Sequence, residues 1–451
     1  MKIISKSIYI LMIVDAFIFA LSTFFLASNS NIPGKYIILT TVLFTFLGIY
    51  VLFMRGFYKL RKYEFHLKDM YLLLEGIVLA AVIPCIFLLF FDFNSLAFKF
   101  FLKDVFLVYI LIYIWRRLFY YHRKYLKPSS NILIIGAGAA GKTMAKEILS
   151  RPILKMNLIG FVDNDEDSSN FNFDGLKIIG KTSDLKKIIE ENDIKTIIVA
   201  VMKELDYQTL MDISECVPQG VDIWKMSHFY ERITQKVPVL VITPEWFIYN
   251  FTSIDRPLYE FLKRIFDIVA ASIILIITLP VLIFIGLVVK FQDGGAIIYT
   301  QQRVGKHEKL FKLYKLRTMY NGADKAGMVD QGNTEDDRVI PFCKWVRKAR
   351  FDEIPQMINI IKGEMSIVGP RAEFVEFVQS YEKEIPFYNR RHWITPGWTG
   401  WAQINQGHCV DVDSIIEKLR YDFFYIKHRN IFWDFSILIK AVTMALTGRH
   451  G

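Results

Sequence analysis

The sequence predicts a membrane protein in three parts. These are a four-helix transmembrane bundle (1–125), a Rossmann-like α/β domain (126–250), and an α/β domain with a re-entrant membrane helix (251–451) that carries the chemistry. Three observations predict this. Four apolar runs crowd the first 120 residues, a glycine-rich turn joins a buried strand to a helix near residue 136, and a Pro-broken apolar run precedes a basic segment with adjacent acids. The composition agrees. Of 451 residues, 53% are hydrophobic and 15% aromatic, as in membrane proteins, while 22% charged residues require large aqueous parts. In so apolar a chain, a net charge of +10 suits anionic lipid and phosphorylated substrates better than nucleic acid. Cys85, Cys216, Cys343 and Cys409 are far apart, which gives no disulfide framework and no zinc site. Reduced, cytosol-facing domains follow.

The apolar runs span roughly 8–28, 36–54, 71–91 and 100–115, near the ~18 residues of a spanning helix. The first is too long for a signal peptide and has no small-residue cleavage site. Only Lys35 lies in the first loop, whereas Arg55, Lys59, Arg61, Lys62 and Lys68 lie in the second. Arg116, Arg117, Arg123, Lys124 and Lys127 follow the fourth run. Positive charge stays inside, so the N-terminus and everything after residue 120 are expected in the cytosol, after four passes. Asp15 and Glu75 fall inside spans. Intramembrane acids mark function by default, but both lie near enough to a run's end or a partner helix to be structural.

In 131–250, Asn131 to Ile135 reads as a buried strand, Gly136-Ala137-Gly138-Ala139-Ala140-Gly141 as a turn, and Lys142 to Leu149 as a helix. Phe161-Val162-Asp163 ends a second strand, and Thr196 to Val201 is another. This is a dinucleotide fingerprint in strand–turn–helix context, with Gly136, Gly138, Gly141 and Asp163 as its binding residues. The glycines let a helix N-terminus meet a pyrophosphate. No Tyr-x-x-x-Lys follows within 142–250, so a scaffold that serves regulation or assembly stands beside nucleotide binding, and the ligand is left open.

Lys263-Arg264 precede a 22-residue apolar run, Ile268 to Val289, and Lys290 follows it. Basic flanks at both ends conflict with a crossing, which would also export the last third of the chain. Pro280 removes a backbone hydrogen bond mid-run and can bend the helix. A re-entrant helix, 263–290, reconciles these facts. Beyond it, Arg303, and Lys315 with Arg317 on one strand face, can clamp a diphosphate or simply line a solvated surface. Asp337-Arg338 and Arg347-Lys348-Ala349-Arg350 lead into Asp352-Glu353, with Pro355 fixing the backbone behind them. Adjacent acids repel, so cations or a metal must keep both ionised. The set suits a carboxylate nucleophile beside a metal-binding neighbour.

Residues 257 to about 447 resemble the bacterial sugar transferases, the monotopic polyprenyl-phosphate phosphoglycosyl transferases. The resemblance rests on Lys263-Arg264-x-x-Asp267, Gln302-x-Val304-Gly305, Lys315-x-Arg317-Thr318-Met319, Asp352-Glu353-x-Pro355-Gln356 and Asn359-x-x-Lys362-Gly363-x-Met365-Ser366. Gly369-Pro370-Arg371, Pro396-Gly397-x-Thr399-Gly400 and Tyr421-Asp422-x-x-Tyr425-Ile426 complete it. The N-terminal parts resemble the family's long members. Ala372, Ala349-Arg350-Phe351, Leu279-Pro280 and Gln406-Gly407-His408 depart from the usual pattern, but none removes a reacting group.

The resemblance implies that a nucleoside diphosphate sugar, such as UDP-glucose or UDP-galactose, gives its sugar-1-phosphate to undecaprenyl phosphate through a covalent phosphosugar on Asp352. That step initiates exopolysaccharide, capsule or O-antigen synthesis at the bacterial inner membrane. Glu353, with Asp352, is the expected Mg²⁺ site. Arg303, Lys315, Arg317, Arg338, Gln356 and Arg371 are the expected substrate-binding set. His307, His392 and His408 are read as structural, because the attacking groups are already anions. A homodimer through the Rossmann-like domain is expected. A nucleotide-sugar dehydratase or epimerase would need a second glycine fingerprint, which the C-terminal part lacks. A non-catalytic assembly scaffold is the third reading, separated from the first by whether Asp352 accepts phosphosugar.

Overall fold

The structure is a computed structural model of the chain. It describes all residues except 1, 29–32, 56, 59–66, 91–93, 127–129, 165–170, 252–255, 321–336, 407–410 and 448–451. The expected His408 and the basic loop residues Lys59, Arg61, Lys62 and Lys127 lie outside the described residues. The chain divides into two compact units, 1–226 and 227–451.

The first unit opens with four helices: α1 (Lys2–Ser28), α2 (Gly34–Met54), α3 (Leu67–Leu89) and α4 (Asn94–Leu126). Each packs on its sequence neighbour, and α1 closes on α4. Leu11, Phe19, Phe44, Leu52, Ile77, Val108 and Ile112 fill the interior, while Ile13, Phe46 and Phe106 face outward, as lipid contact requires. Residues 9–28, 34–53 and 69–89 are long and apolar enough to cross a membrane. The expected fourth run, 100–115, lies in α4, which is not among the helices that meet that test. Lys103, Asp104, Arg116 and Arg117 lower its hydropathy. Two of these charges are spent inside the bundle. Arg116 pairs with the buried Asp15 and donates to the Phe57 carbonyl at 2.7 Å. Asp104 accepts from Ser22, and from Thr23 at 2.8 Å. Tyr58 donates to Asp15 at 2.9 Å, and Arg55 grips Glu75 with two bonds of 2.6 and 2.8 Å. Asp15 and Glu75 are therefore structural ties, Glu75 through both carboxylate oxygens and Asp15 through Oδ2.

The Rossmann-like part holds β1 (Ser130–Ile135), α5 (Ala139–Leu149), β2 (Met156–Val162), β3 (Ile178–Gly180), α6 (Leu185–Glu191), β4 (Ile194–Val199), α7 (Tyr207–Ser214) and β5 (Asp222–Lys225). The five strands are parallel in the order β3-β2-β1-β4-β5, so the winding reverses between β1 and β4. Ile132 to Ile135 are buried, which explains the unbroken apolar run in the sequence.

The second unit comprises α8 (Met226–Thr234), α9 (Pro244–Asn250), the long α10 (Pro257–Asp293), β6 (Ile298–Val304), β7 (Leu310–Leu316), α11 (Cys343–Lys348), α12 (Gln356–Lys362), β8 (Ser366–Val368), α13 (Val375–Glu384), β9 (Gly397–Thr399), α14 (Val412–His428) and α15 (Ile431–Thr447). β6 and β7 form an antiparallel hairpin, and β8 pairs with β9 in parallel. The sequence places 227–250 in the Rossmann-like domain, but the structure packs it into this unit. Trp246, Phe247 and Phe251 are buried there, with Phe247 against Phe387, Trp393 and Phe423. Lys427 binds Glu231 with two bonds of 2.8 Å, and the Val237 N–H donates to the Arg420 carbonyl at 3.0 Å. Aromatic surface of that size must be covered, and the C-terminal core covers it.

Residues 257–292 within α10 form the fourth helix long and apolar enough to cross a membrane. Pro280 lies inside it. Two residues earlier, the Thr278 hydroxyl donates to the Ile274 carbonyl at 2.6 Å, a back-bond that favours bending. The sequence reading had missed Thr278.

Candidate active site

The acid pair is built by a forced turn. Helix α11 ends at Ala349, and Arg350 adopts φ 57°, a left-handed conformation that costs a non-glycine residue about 1–2 kcal/mol. That reversal throws Phe351–Glu353 into one 3-10 turn. Pro355 (φ −59°) then caps α12, where the missing N–H costs nothing. Asp352 is half-buried and Glu353 buried.

Three cations surround Glu353. Lys315 Nζ and Arg371 Nη2 each stand 3.7 Å from Oε1, and Arg350 Nη1 stands 4.0 Å from Oε2. Burial pushes Glu353 up, but Lys315, Arg371, Arg350 and Arg303 outweigh it and hold the carboxyl at about 2. Burial, and then the Glu353 charge, push Asp352 the other way, up to about 6 against the weaker pull of Lys315 and Arg347. Neighbouring carboxyls driven apart in this way can divide two roles. Burial also lowers Lys315, against the pull of Glu353.

Two close backbone approaches fix Arg371. A Cβ on Gly397 would stand 2.0 Å from the Gly369 nitrogen, and one on Gly400 would stand 2.2 Å from the Gly369 oxygen. Only glycines let Gly369-Pro370-Arg371 lie against the 396–400 strand. Arg391 then donates to the Arg371 carbonyl at 3.1 Å and to Asp422 at 2.7 and 3.0 Å. Lys418 pairs with Glu373. Sequence reasoning had missed Arg391, Lys418 and Glu373 as this frame; the Tyr421-Asp422-x-x-Tyr425 pattern was its signal.

The expected substrate set divides. Arg303, Gln356 and Arg371 line one small cleft with Leu313, Met365, Ala372 and Gly397. Arg303 is 1% exposed, lies 3.5 Å over the Phe374 ring and donates to the Ala372 carbonyl at 3.0 Å. Burial, then Arg371, lower it to about 10. Only its carbonyl is required of residue 372, which explains why Ala372 is tolerated there. Lys315 belongs to the acid cluster. The strand ends at Leu316, and Arg317 donates to the Val289 carbonyl at 3.3 Å, tying down the end of α10. Arg338 is half-buried, and its carbonyl accepts from the Tyr320 N–H at 3.1 Å, joining the chain on either side of residues 321–336.

Magnesium needs one or two carboxylates and completes its shell with water and phosphate oxygens. Asp352 and Glu353 fit that demand, since among the described residues the cations nearest Glu353, Lys315 and Arg371, stand 3.7 Å away.

At the Rossmann-like turn, Gly136 has φ 98°, and a Cβ on Gly141 would stand 2.0 Å from its oxygen. Gly138 faces open space. Asp163 turns back on the loop, accepting from the Ala137 N–H at 2.7 Å, so one carboxylate oxygen already serves the chain's own backbone.

Residues 258–448 match the family described as bacterial sugar transferase, and residues 54–214 match one described as CoA-binding domain. The UDP-N-acetylgalactosamine-undecaprenyl-phosphate N-acetylgalactosaminephosphotransferase of Aeromonas hydrophila is 38% identical over 52% of this chain and 55% of its own. The UDP-glucose:undecaprenyl-phosphate glucose-1-phosphate transferase of Escherichia coli K12 is 30% identical over 69% of this chain and 66% of its own. A putative undecaprenyl-phosphate N-acetylgalactosaminyl 1-phosphate transferase of Bacillus subtilis is 41% identical over 32% of this chain and 80% of its own. The chain thus spans between half and two thirds of the length of the longer relatives. It belongs to the bacterial sugar transferase family, in the long form that joins a Rossmann-like domain and apolar N-terminal helices to the transferase part.

Proposed function

We propose that the protein transfers a sugar-1-phosphate from a nucleoside diphosphate sugar to undecaprenyl phosphate, on the cytosolic face of the membrane. One observation carries this reading: a half-buried carboxylate, Asp352, beside a second acid that Lys315, Arg371 and Arg350 keep ionised. An Asp352 oxygen attacks the sugar-bearing phosphorus, and the bridging P–O bond breaks. The nucleoside monophosphate leaves with the electron pair. An oxygen of the polyprenyl phosphate then attacks the same phosphorus, breaks the Asp352–phosphorus bond and restores the carboxylate. Phosphoryl centres need neutralised charge more than a strong base. Arg371, Lys315 and Arg303 supply it from this chain. Magnesium held by Asp352 and Glu353 would add charge on the diphosphate.

The re-entrant reading of α10 rests on its two ends. Near the start, Lys263 binds Asp434 at 2.9 Å, Arg264 donates to the Ile360 and Ile361 carbonyls at 2.5 and 2.6 Å, and Asp267 accepts from the Ile367 N–H at 3.1 Å. Near the end, Ile285 and Val289 join the same C-terminal core, and Arg317 holds the Val289 carbonyl. A straight helix would separate Arg264 from Val289 by about 37 Å, more than the ~30 Å of bilayer hydrocarbon. One folded unit cannot hold both ends from opposite sides. Single cysteines at Leu262 and Gln292 are therefore expected to react with an impermeant thiol reagent only from the cytosolic side. Labelling of Gln292→Cys from outside would mean that α10 crosses.

The sugar is tested by a panel. Purified protein with undecaprenyl phosphate is offered UDP-N-acetylgalactosamine, UDP-N-acetylglucosamine, UDP-glucose and UDP-galactose, and UMP release is measured. One of the four is expected to support turnover well above the rest. Products carrying the sugar without its phosphate would overturn the reaction type.

A further inference from the structure

We propose that Glu308, Glu382 and His392 form a binding site for a divalent transition-metal ion of the zinc class, separate from the Asp352–Glu353 pair. One ligand atom from each of the three lies within 4.8 Å of the other two. The residues come from three different segments. Glu308 sits in the turn between β6 and β7, Glu382 in α13, and His392 in the 3-10 segment Tyr388–Trp393.

The second observation is the histidine itself. His392 is 7% exposed, and among the described residues neither ring nitrogen has a hydrogen-bond partner. A buried imidazole left unbonded is costly, and such groups normally have a partner. Its ring meets Tyr388 edge-on at 6.1 Å, which fixes its plane. The carboxylates point the same way. Glu308 and Glu382 meet His392 from two other segments, each with a carboxylate oxygen inside the 4.8 Å set. Glu308 is also held at φ 61°, after His307 at φ 54°. Both belong to the β6–β7 turn, which the Gly305 N–H closes on the Lys309 carbonyl at 2.9 Å.

One nitrogen and two carboxylate oxygens make a three-ligand set with room for water. Imidazole with carboxylate suits zinc and its neighbours, whereas magnesium prefers oxygen alone. Ligand atoms around a tetrahedral zinc stand about 3.3 Å apart, given bonds of ~2.0 Å. The exposed Glu308 and Glu382 reach that spacing by side-chain rotation. Such an ion would tie the hairpin turn to α13 and to the segment carrying Arg391, the residue that holds the Arg371 carbonyl. Cysteine spacing gave no sign of it, because no cysteine takes part.

The full chain in nanodiscs, stripped with chelator and kept in excess Mg²⁺, is titrated with Zn²⁺. One zinc per chain is expected, with a melting temperature raised by several degrees. In Glu308→Gln/Glu382→Gln, zinc affinity should fall by more than about tenfold, and the zinc-dependent rise in melting temperature should vanish. The metal-free melting temperature should match that of the parent, which separates lost ligation from lost folding. His392→Asn supplies the third ligand test. Zinc binding that is equally tight in the double variant would place the ion elsewhere and overturn the proposal. So would the absence of micromolar zinc binding by the parent.

Discussion

Asp352→Asn is expected to lower phosphosugar transfer by on the order of 10³-fold or more, because the amide keeps the shape and removes the nucleophilic charge. The fold should not suffer. Burial and Glu353 raise Asp352 above its ordinary value. A carboxyl whose folded pKa exceeds its unfolded value destabilises the fold at any pH above both, and the amide relieves that cost. Steady-state UMP release and a thermal melt of the same preparation decide the matter: activity is lost while the melting temperature holds or rises. Near-normal turnover would mean that another group attacks phosphorus.

The second large effect concerns where the catalytic unit begins. The boundary read from the sequence, with the chemistry in 251–451, implies that a chain starting near Ser253 keeps its activity. The structure shifts that boundary upstream. A chain starting at Ser227 is expected to fold and transfer phosphosugar, because it keeps Glu231 on Lys427 and the Trp246, Phe247 and Phe251 cluster. A chain starting at Ser253 loses all of these. Deleting one buried Phe or Trp side chain costs about 3–5 kcal/mol, and a domain has only about 5–15 kcal/mol in total. The shorter chain is thus expected to aggregate or melt far lower, as read by size exclusion and thermal denaturation in nanodiscs. Equal melting temperatures would refute the packing argument. A well-folded but inactive 227–451 chain would instead bring the Rossmann-like domain into the reaction.

Legibility in the sequence followed locality. The β1–turn–α5 unit was readable because Gly136 and Gly141 meet within six residues and Ile132–Ile135 form one apolar run. Asp352-Glu353-x-Pro355 was readable for the same reason, since acids, turn and helix start are contiguous. The frame behind them was not. Arg391 reaches Asp422 and the Arg371 carbonyl across 31 and 20 residues, and no periodicity announces such a contact. The placement of Arg317 was illegible for a different reason. Alternation put it on the face of Lys315, but β7 stops one residue short of it and the side chain turns to Val289. The 227–250 segment was assigned with the Rossmann-like strands, whereas its Phe247 packs on residues more than 130 positions later, Phe387, Trp393 and Phe423. Likewise, α4 is more polar than a lone spanning helix because Asp104 and Arg116 are satisfied by α1.

The central claim is that Asp352 itself carries the phosphosugar. Its most direct measurement omits the acceptor. Purified protein is mixed with its preferred nucleoside diphosphate sugar in the absence of undecaprenyl phosphate, quenched in acid and examined by intact-mass and peptide mass spectrometry. The account predicts a single added sugar phosphate on the peptide containing Asp352, together with a burst of nucleoside monophosphate that does not exceed one per chain. Asp352→Asn should show neither. Turnover that requires both substrates at once, with no adduct and no burst, would contradict it and point to direct transfer between the two phosphates.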